Sequence, residues 1–129
     1  MIVGTGIDIV EISRLRKAIE RRGDAFLTKI FTPREIAYSN SRRFSYQHFA
    51  GRFAAKEACL KALGVPRSTS IQWTQIEVLN DREGRPRIEL HKDALRLKKK
   101  RLVDDIVISL AHSKNYAVAN AILLNSRKR

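Results

Sequence analysis

Apolar residues gather at Ile2, Val3, Ile7, Ile9 and Val10 around Gly4 and Gly6, which predicts a first strand whose glycines mark a close backbone approach or a bulge. Asp8 stands inside that strand. Ser13 ahead of Leu15, Ala18 and Ile19 signals a helix that ends near Gly23. Thr32-Pro33-Arg34-Glu35 has the form of a capping box with proline at the first helical position, and this second helix runs to about Asn40. From Gln47 to Leu63 the chain is rich in Ala, Leu, Lys and Glu, lacks proline, and stops at Gly64 with Pro66 beyond. That is a long helix with Phe49, Phe53, Leu60 and Leu63 as its buried stripe. Thr74 to Leu79 and Arg87 to Leu90 flank a turn at Asn80 to Gly84 and predict a hairpin, and Lys92 to Arg101 reads as a basic helix. Ile106 to His112 and Tyr116 to Leu124 form a second hairpin across Ser113-Lys114-Asn115.

Helices and strands mixed in this order, with no internal repeat and no linker, predict an α+β fold in one domain over residues 1–129. A chain of 129 residues buries roughly two-thirds of its unfolded surface, enough for a core, although so small a domain can also lean on association. Hydrophobic residues make up 43%, which excludes a disordered basic tail. The single Cys59 cannot form an internal disulfide and fits a reducing compartment. No apolar run approaches a membrane span, and Met1 to Val10 lacks the basic start of a signal peptide, so the expected location is cytoplasmic.

The formal charge of +13 asks for an anionic partner or a solubility explanation. It concentrates at Arg14, Arg16, Lys17, Arg21 and Arg22, and again at Lys92, Arg96, Lys98, Lys99, Lys100 and Arg101, with Arg127, Lys128 and Arg129 as a frayed end. Each cluster is either a solvated helix face or a docking surface for phosphates or an acidic protein.

Lys56 falls within the apolar arc of the long helix, where a lysine needs a charge partner or a route to water. Glu57 lies beside that arc with Lys61 at i+4, and taken alone the two form an ordinary surface pair worth about 0.3 to 0.5 kcal/mol. Asp8 changes this picture, because a carboxylate in an apolar strand needs a cation or a metal. Two carboxylates from separate elements among several cations are what a phosphate-bridged Mg²⁺ site requires. His48, His91 and His112 with the lone Cys59 do not compose a zinc site, and Cys59 reads as packing rather than nucleophile. Gly4-Thr5-Gly6 precedes an extended run instead of opening a helix and is no dinucleotide fingerprint.

Gly6-Ile7-Asp8-Ile9-Val10 together with the run Phe49-Ala50-Gly51-Arg52-Phe53-Ala54-Ala55-Lys56-Glu57-Ala58-Cys59-Leu60-Lys61-Ala62-Leu63-Gly64 closely resembles the holo-[acyl-carrier-protein] synthases, the small bacterial class of 4′-phosphopantetheinyl transferases. Phe31 to Glu35, the Gly84-Arg85-Pro86 turn, Ser109 to His112 and Tyr116 to Ala119 agree in order and spacing, so the resemblance covers nearly the whole chain. Departures are Ala111, where the family more often has serine, and Ser113, where an acidic residue is common. The resemblance implies a small antiparallel sheet packed with one long and several shorter helices. It implies transfer of the phosphopantetheine arm of coenzyme A to a serine of apo acyl carrier protein, with adenosine 3′,5′-bisphosphate leaving, in support of fatty acid biosynthesis. By motif, Asp8 and Glu57 would hold Mg²⁺ and Lys61 would steady the pyrophosphate, making these three the catalytic set. Arg52, Lys61, Gly84, Pro86, Ser109 and His112 would contact coenzyme A. Arg14, Arg21 and Arg22 would receive the acidic carrier, with Arg14 and Arg21 on one face two turns apart. The family is typically a homotrimer with sites between subunits, which also rationalises how a short chain builds a coenzyme A site. The rival classes, a nucleic-acid-binding module and a structural trimeric adaptor, leave Asp8 and Glu57 unexplained, so no nucleic-acid partner is expected. A related transferase acting on a synthase-borne or peptidyl carrier is the runner-up within the enzyme class.

Overall fold

The computed structural model describes residues 1–65 and 69–126. Pro66 of the expected stop signal and the basic residues Arg127 to Arg129 lie outside the described residues. Element order is β1 (Ile2–Glu11), α1 (Ile12–Arg22), α2 (Asp24–Ile30), α3 (Pro33–Asn40), α4 (Ser45–Leu63), a 3₁₀ turn (Trp73–Gln75), β2 (Ile76–Asn80), β3 (Pro86–Leu90), α5 (Lys92–Lys100), β4 (Asp105–His112) and β5 (Tyr116–Leu124). The class is α+β, as expected. The strands form two antiparallel sheets, one of three strands in the order β1-β5-β4 and one hairpin of β2 and β3.

The two sequence ends meet in the larger sheet, where β5 lies centrally and pairs Asp8 with Ala119 on one side and Ser109 with Asn120 on the other. Its inward row, Ala117, Ala119, Ala121 and Leu123, is buried against α4. Such short side chains let the helix sit close to the sheet. Beside this row, β1 comes closer still, and only glycine permits it. A Cβ added to Gly6 would stand 2.0 Å from the Ala58 carbonyl oxygen, and one added to Gly4 would stand 2.2 Å from that of Ala62. Both sequence readings of the glycines hold, since the β1–β5 register also shifts between Ile2 and Gly4.

α4 is therefore a central helix, and its burial is wider than the apolar stripe expected. Ala50, Gly51, Ala54, Ala55, Ala58, Cys59 and Ala62 are buried together with Phe49 and Leu63, whereas Phe53 and Leu60 are only half-buried. Sequence periodicity undercounts this face because alanine and glycine carry little hydrophobic signal yet mark where neighbours approach most closely. The second core region gathers Ile12, Leu15, Ile19, Leu27, Ile30, Phe31, Phe49 and Ala117 beneath α1 and α2.

Four further expectations are corrected. Ser13 lies inside α1 rather than ahead of it, and its hydroxyl donates to Glu11 Oε1. α2 was not anticipated, because seven residues between Gly23 and Phe31 carry too short a pattern to register a period. α4 starts at Ser45, before Gln47, and Thr74 belongs to the 3₁₀ turn rather than to β2. The capping box of α3 is present as expected, with Thr32 Oγ1 accepting from the Glu35 amide and Glu35 Oε1 accepting from the Thr32 amide.

Lys56 is fully buried, and its ammonium spends every proton. It donates to Glu35 Oε1 at 2.7 Å, to the Ile76 carbonyl at 2.7 Å and to the Trp73 carbonyl at 3.0 Å. Burial pulls its pKa below the usual lysine range, with Glu35 acting in the opposite direction. Glu35, also buried, further accepts the Val78 amide at 2.8 Å through Oε2. One ion pair thus ties α3, α4, the 3₁₀ turn and β2 together.

Candidate active site

Asp8, Glu57 and Lys61 are brought together by the glycine contact between β1 and α4. Asp8 lies on the helix-facing side of β1, two residues beyond Gly6, and Glu57 precedes Ala58 on the helix. Lys61 Nζ donates to Asp8 Oδ1 at 2.9 Å and to the Ile7 carbonyl at 3.1 Å. The lysine thus pairs with Asp8 and not with Glu57, contrary to the surface pair that i, i+4 spacing alone suggests. Glu57 Oε1 instead accepts a 2.7 Å hydrogen bond from the indole Nε1 of Trp73.

Each carboxylate keeps one oxygen, Asp8 Oδ2 and Glu57 Oε2, with no hydrogen-bond partner among the described residues. Both residues line one cavity of about 400 Å³, which also takes in Arg14, Leu15 and Ala18 of α1 and Phe26 and Phe53. Glu57 and Lys61 also border a second, larger cavity of about 670 Å³ whose walls are Lys29, Leu60, Val65, Ile71 and Trp73. Glu57 is thus the wall common to both. Two hard carboxylate oxygens beside one lysine are the donor set that Mg²⁺ takes when phosphate oxygens and waters complete its shell.

A third cavity, of about 480 Å³, lies at the N-terminal part of α4 and shares no lining residue with the other two. Arg34, Tyr38, Arg42, Arg52, Asn80, Arg82, Gly84 and Arg87 line it, with Asp81. Arg52 is buried, donates to Asn80 Oδ1 at 3.1 Å and lies with its guanidinium 4.0 Å from the centre of the Tyr38 ring. Among the described residues its Nε has no hydrogen-bond partner, and burial pulls its pKa below the usual arginine range. A desolvated cation with a spare donor, among other arginines, is chemistry suited to a phosphate. Asp81 is already engaged by the amides of Glu83 and Arg85.

The remaining expected residues separate. Gly84, with φ 84°, makes the turn ahead of Pro86, which pairs with Asn80 at the end of the hairpin. His112 stacks edge-on to His48, which does the same to Tyr38, so it joins the arginine cavity's side of the molecule. Burial lowers the pKa of His48, assisted by Arg52, His112 and Arg42. Ser109 faces the other way: in register with Asn120 and Ile7, it stands exposed on the open face of the sheet. Arg14 borders the Asp8–Glu57 cavity, while Arg21 and Arg22 are exposed at the far end of α1.

Glu77, Glu89 and His91 also lie close enough to share a cation, with ligand atoms within 4.8 Å of one another. Glu77, the buried member of that group, is already engaged. Arg34 and Thr32 each donate to Glu77, and His91 Nε2 lies 3.1 Å from Glu77 Oε1. Burial pushes the Glu77 carboxyl up, but these hydrogen bonds outweigh it and hold the pKa down at about 2. Cys59 is buried beside neither cavity, and burial pushes its thiol up to about 12, which agrees with packing.

A family model of the 4′-phosphopantetheinyl transferase superfamily matches residues 4–121. The chain belongs to this superfamily. Among curated relatives, a holo-[acyl-carrier-protein] synthase of Solibacter usitatus is 42% identical over 97% of this chain and 100% of its own length, and one of Geobacter sp. strain M21 is 45% identical over 95% and 98%. Solved structures agree with this. The synthase of Neisseria meningitidis superposes with a TM-score of 0.87 at 27% identity, covering 97% of this chain and all of that one. The Helicobacter pylori synthase in complex with coenzyme A gives 0.82 at 29% identity, covering 93% and 99%. The residues bordering these cavities that sequence reasoning missed are Trp73 beside Glu57 and Arg34, Tyr38, Arg42, Asn80 and Arg87 around Arg52. Each lies outside the two signature runs and reaches its cavity through the packing of α3 and the turn after it, the 3₁₀ turn, or the β2–β3 hairpin on α4.

Proposed function

We propose that this chain transfers 4′-phosphopantetheine from coenzyme A to a serine hydroxyl of apo acyl carrier protein, supplying the carrier for fatty acid biosynthesis. The serine oxygen forms a bond to the β-phosphorus, the pyrophosphate P–O bond breaks, and adenosine 3′,5′-bisphosphate leaves. The observation that carries this reading is the Asp8–Glu57–Lys61 cluster assembled across the glycine contact. Asp8 and Glu57 would hold Mg²⁺, which when bound supplies charge neutralisation for the pyrophosphate. Lys61, anchored by Asp8 and the Ile7 carbonyl, brings a positive charge to the same oxygens and holds it there before substrate arrives. Asp8 and Lys61 fix each other's rotamers, so neither has to be ordered at the moment of reaction.

The arginine cavity is proposed to take the nucleotide end, with Arg52 and the Gly84 to Pro86 turn against its phosphate. Arg14, Arg21 and Arg22 are proposed to receive the acidic carrier, Arg14 lying where a serine entering the Asp8–Glu57 cavity would pass. Because the arginine cavity and the carboxylate cluster line different cavities of one chain, we propose a homotrimer in which one subunit's arginines meet the next subunit's carboxylates. Support comes from the open sheet face, where Ile7, Ile9, Val107 and Tyr116 are all exposed around Ser109. Among the described residues no helix is long and apolar enough to cross a membrane. The proposed location is the cytoplasm, where Cys59 stays reduced, and the proposed unit is one domain over residues 1–129.

The test is intact-mass analysis of apo acyl carrier protein incubated with this protein, coenzyme A and Mg²⁺. The expected result is a gain of one phosphopantetheine group that EDTA abolishes and Asp8→Ala loses. No gain with a competent carrier overturns the reading.

A further inference from the structure

Trp73 is the chain's only tryptophan, and its indole N–H makes the one hydrogen bond to the Glu57 carboxylate among the described residues. We propose that Trp73 is a positioning residue: it orients the Glu57 carboxylate for the metal and thereby sets how tightly the metal is held. This rests on the reading of Glu57 as a metal ligand.

The geometry divides the carboxylate's two oxygens between two duties. Oε1 is held by the indole at 2.7 Å, a short bond of the kind made to a charged acceptor, and Oε2 is left for the cation. A half-buried glutamate without such a donor has to freeze its side-chain torsions when the metal arrives; here they are fixed beforehand. An N–H donor takes one oxygen without adding charge, whereas a lysine in its place would repel the cation.

The indole is itself held from two sides. Its ring packs at 6.1 Å, tilted, against Phe53, one turn before Glu57 on the same helix. Its backbone carbonyl accepts from the buried Lys56. A continuous chain thus runs from the Glu35–Lys56 ion pair through the Trp73 backbone and indole to the Glu57 carboxylate. Trp73 also walls the larger cavity beside Glu57, so the same ring borders the space next to the reacting phosphate.

The experiment uses Mn²⁺ as the probe, with the free ion counted by electron paramagnetic resonance, and compares the full-length chain with Trp73→Phe, Trp73→His and Glu57→Gln. Trp73→Phe keeps a ring against Phe53 and removes the donor. It is expected to weaken Mn²⁺ binding about 10-fold or more, the usual scale for losing a group that orients a ligand. It should also raise the Mg²⁺ concentration for half-maximal transfer in the same proportion, a loss that excess Mg²⁺ recovers. Trp73→His, which restores a ring N–H, is expected to regain part of the affinity. In the parent protein, the single tryptophan emission should respond to Mn²⁺ alone, and Glu57→Gln should abolish that response. Undiminished Mn²⁺ affinity in Trp73→Phe, with Glu57→Gln defective, overturns the role of Trp73. Undiminished affinity in Glu57→Gln overturns the ligand assignment beneath it.

Discussion

Replacing Lys56 by methionine removes a charge while keeping most of the side chain's volume. In the folded protein, that ammonium is the partner of a fully buried Glu35 carboxylate and of two main-chain carbonyls, Trp73 and Ile76. Breaking one half of such a pair leaves the other charge in a dry interior, at a cost of about 3 to 5 kcal/mol. Against a typical stability of about 5 to 15 kcal/mol this is a large fraction, a drop in the folding constant of roughly 100-fold to several thousand-fold. At about 4 °C per kcal/mol for a chain of this size, Tm falls by about 12 to 20 °C. Urea unfolding followed by circular dichroism reads the change directly. The double variant Glu35→Gln/Lys56→Met removes both charges of this pair, leaving neither unpaired, and is expected to be more stable than Lys56→Met, although two positions have been altered. A fall of less than about 1 kcal/mol in Lys56→Met, or a double variant less stable than the single one, refutes the reasoning.

Gly6→Ala forces a Cβ to 2.0 Å from the Ala58 carbonyl, so β1 must move off α4; the expectation is a loss at or above the upper end of about 1 to 3 kcal/mol together with loss of transfer activity, read by thermal unfolding and carrier mass. Glu77 titrates at about 2 in the folded chain against an ordinary value of 4.5, so it binds fewer protons folded than unfolded. Its stabilisation is complete above about pH 4.5 and is lost as pH falls toward 2; urea midpoints at pH 6 and pH 3 should differ less in Glu77→Gln than in the parent. Ile9→Asp places a charge on the open sheet face, where Ile9 is 64% exposed in the single chain. It should leave the circular dichroism spectrum intact while shifting the sedimentation profile from the proposed trimer to monomer.

The sequence made the long helix, the capping box and both hairpins legible because each carries its own local signal: period, cap or turn chemistry. Asp8 and Glu57 were legible for a different reason, namely that a carboxylate in an apolar strand and another among cations both ask for a partner. What stayed hidden depends on distant packing. Nothing near Lys61 says that it will reach Asp8 in preference to Glu57 four residues before it, because that choice follows from how closely Gly6 lets β1 approach. Lys56 announced that it needed a partner, but not that Glu35, a capping-box residue, would serve a second time as its counter-ion. Trp73 carries no local signal of its role, because only the 3₁₀ turn places its N–H on Glu57.

Among the described residues, the strand that carries Asp8 has its only sheet neighbour in β5, the strand latest in sequence. Asp8 and Glu57 both precede Tyr116 to Leu124 in the chain, so during synthesis β1 cannot be clamped into the sheet until β5 has been made. The carboxylates that would bind metal are therefore held together only after a loop of more than a hundred residues has closed. A nascent or truncated chain lacking β5 would expose basic helices to acidic partners while having no competent centre to act on them.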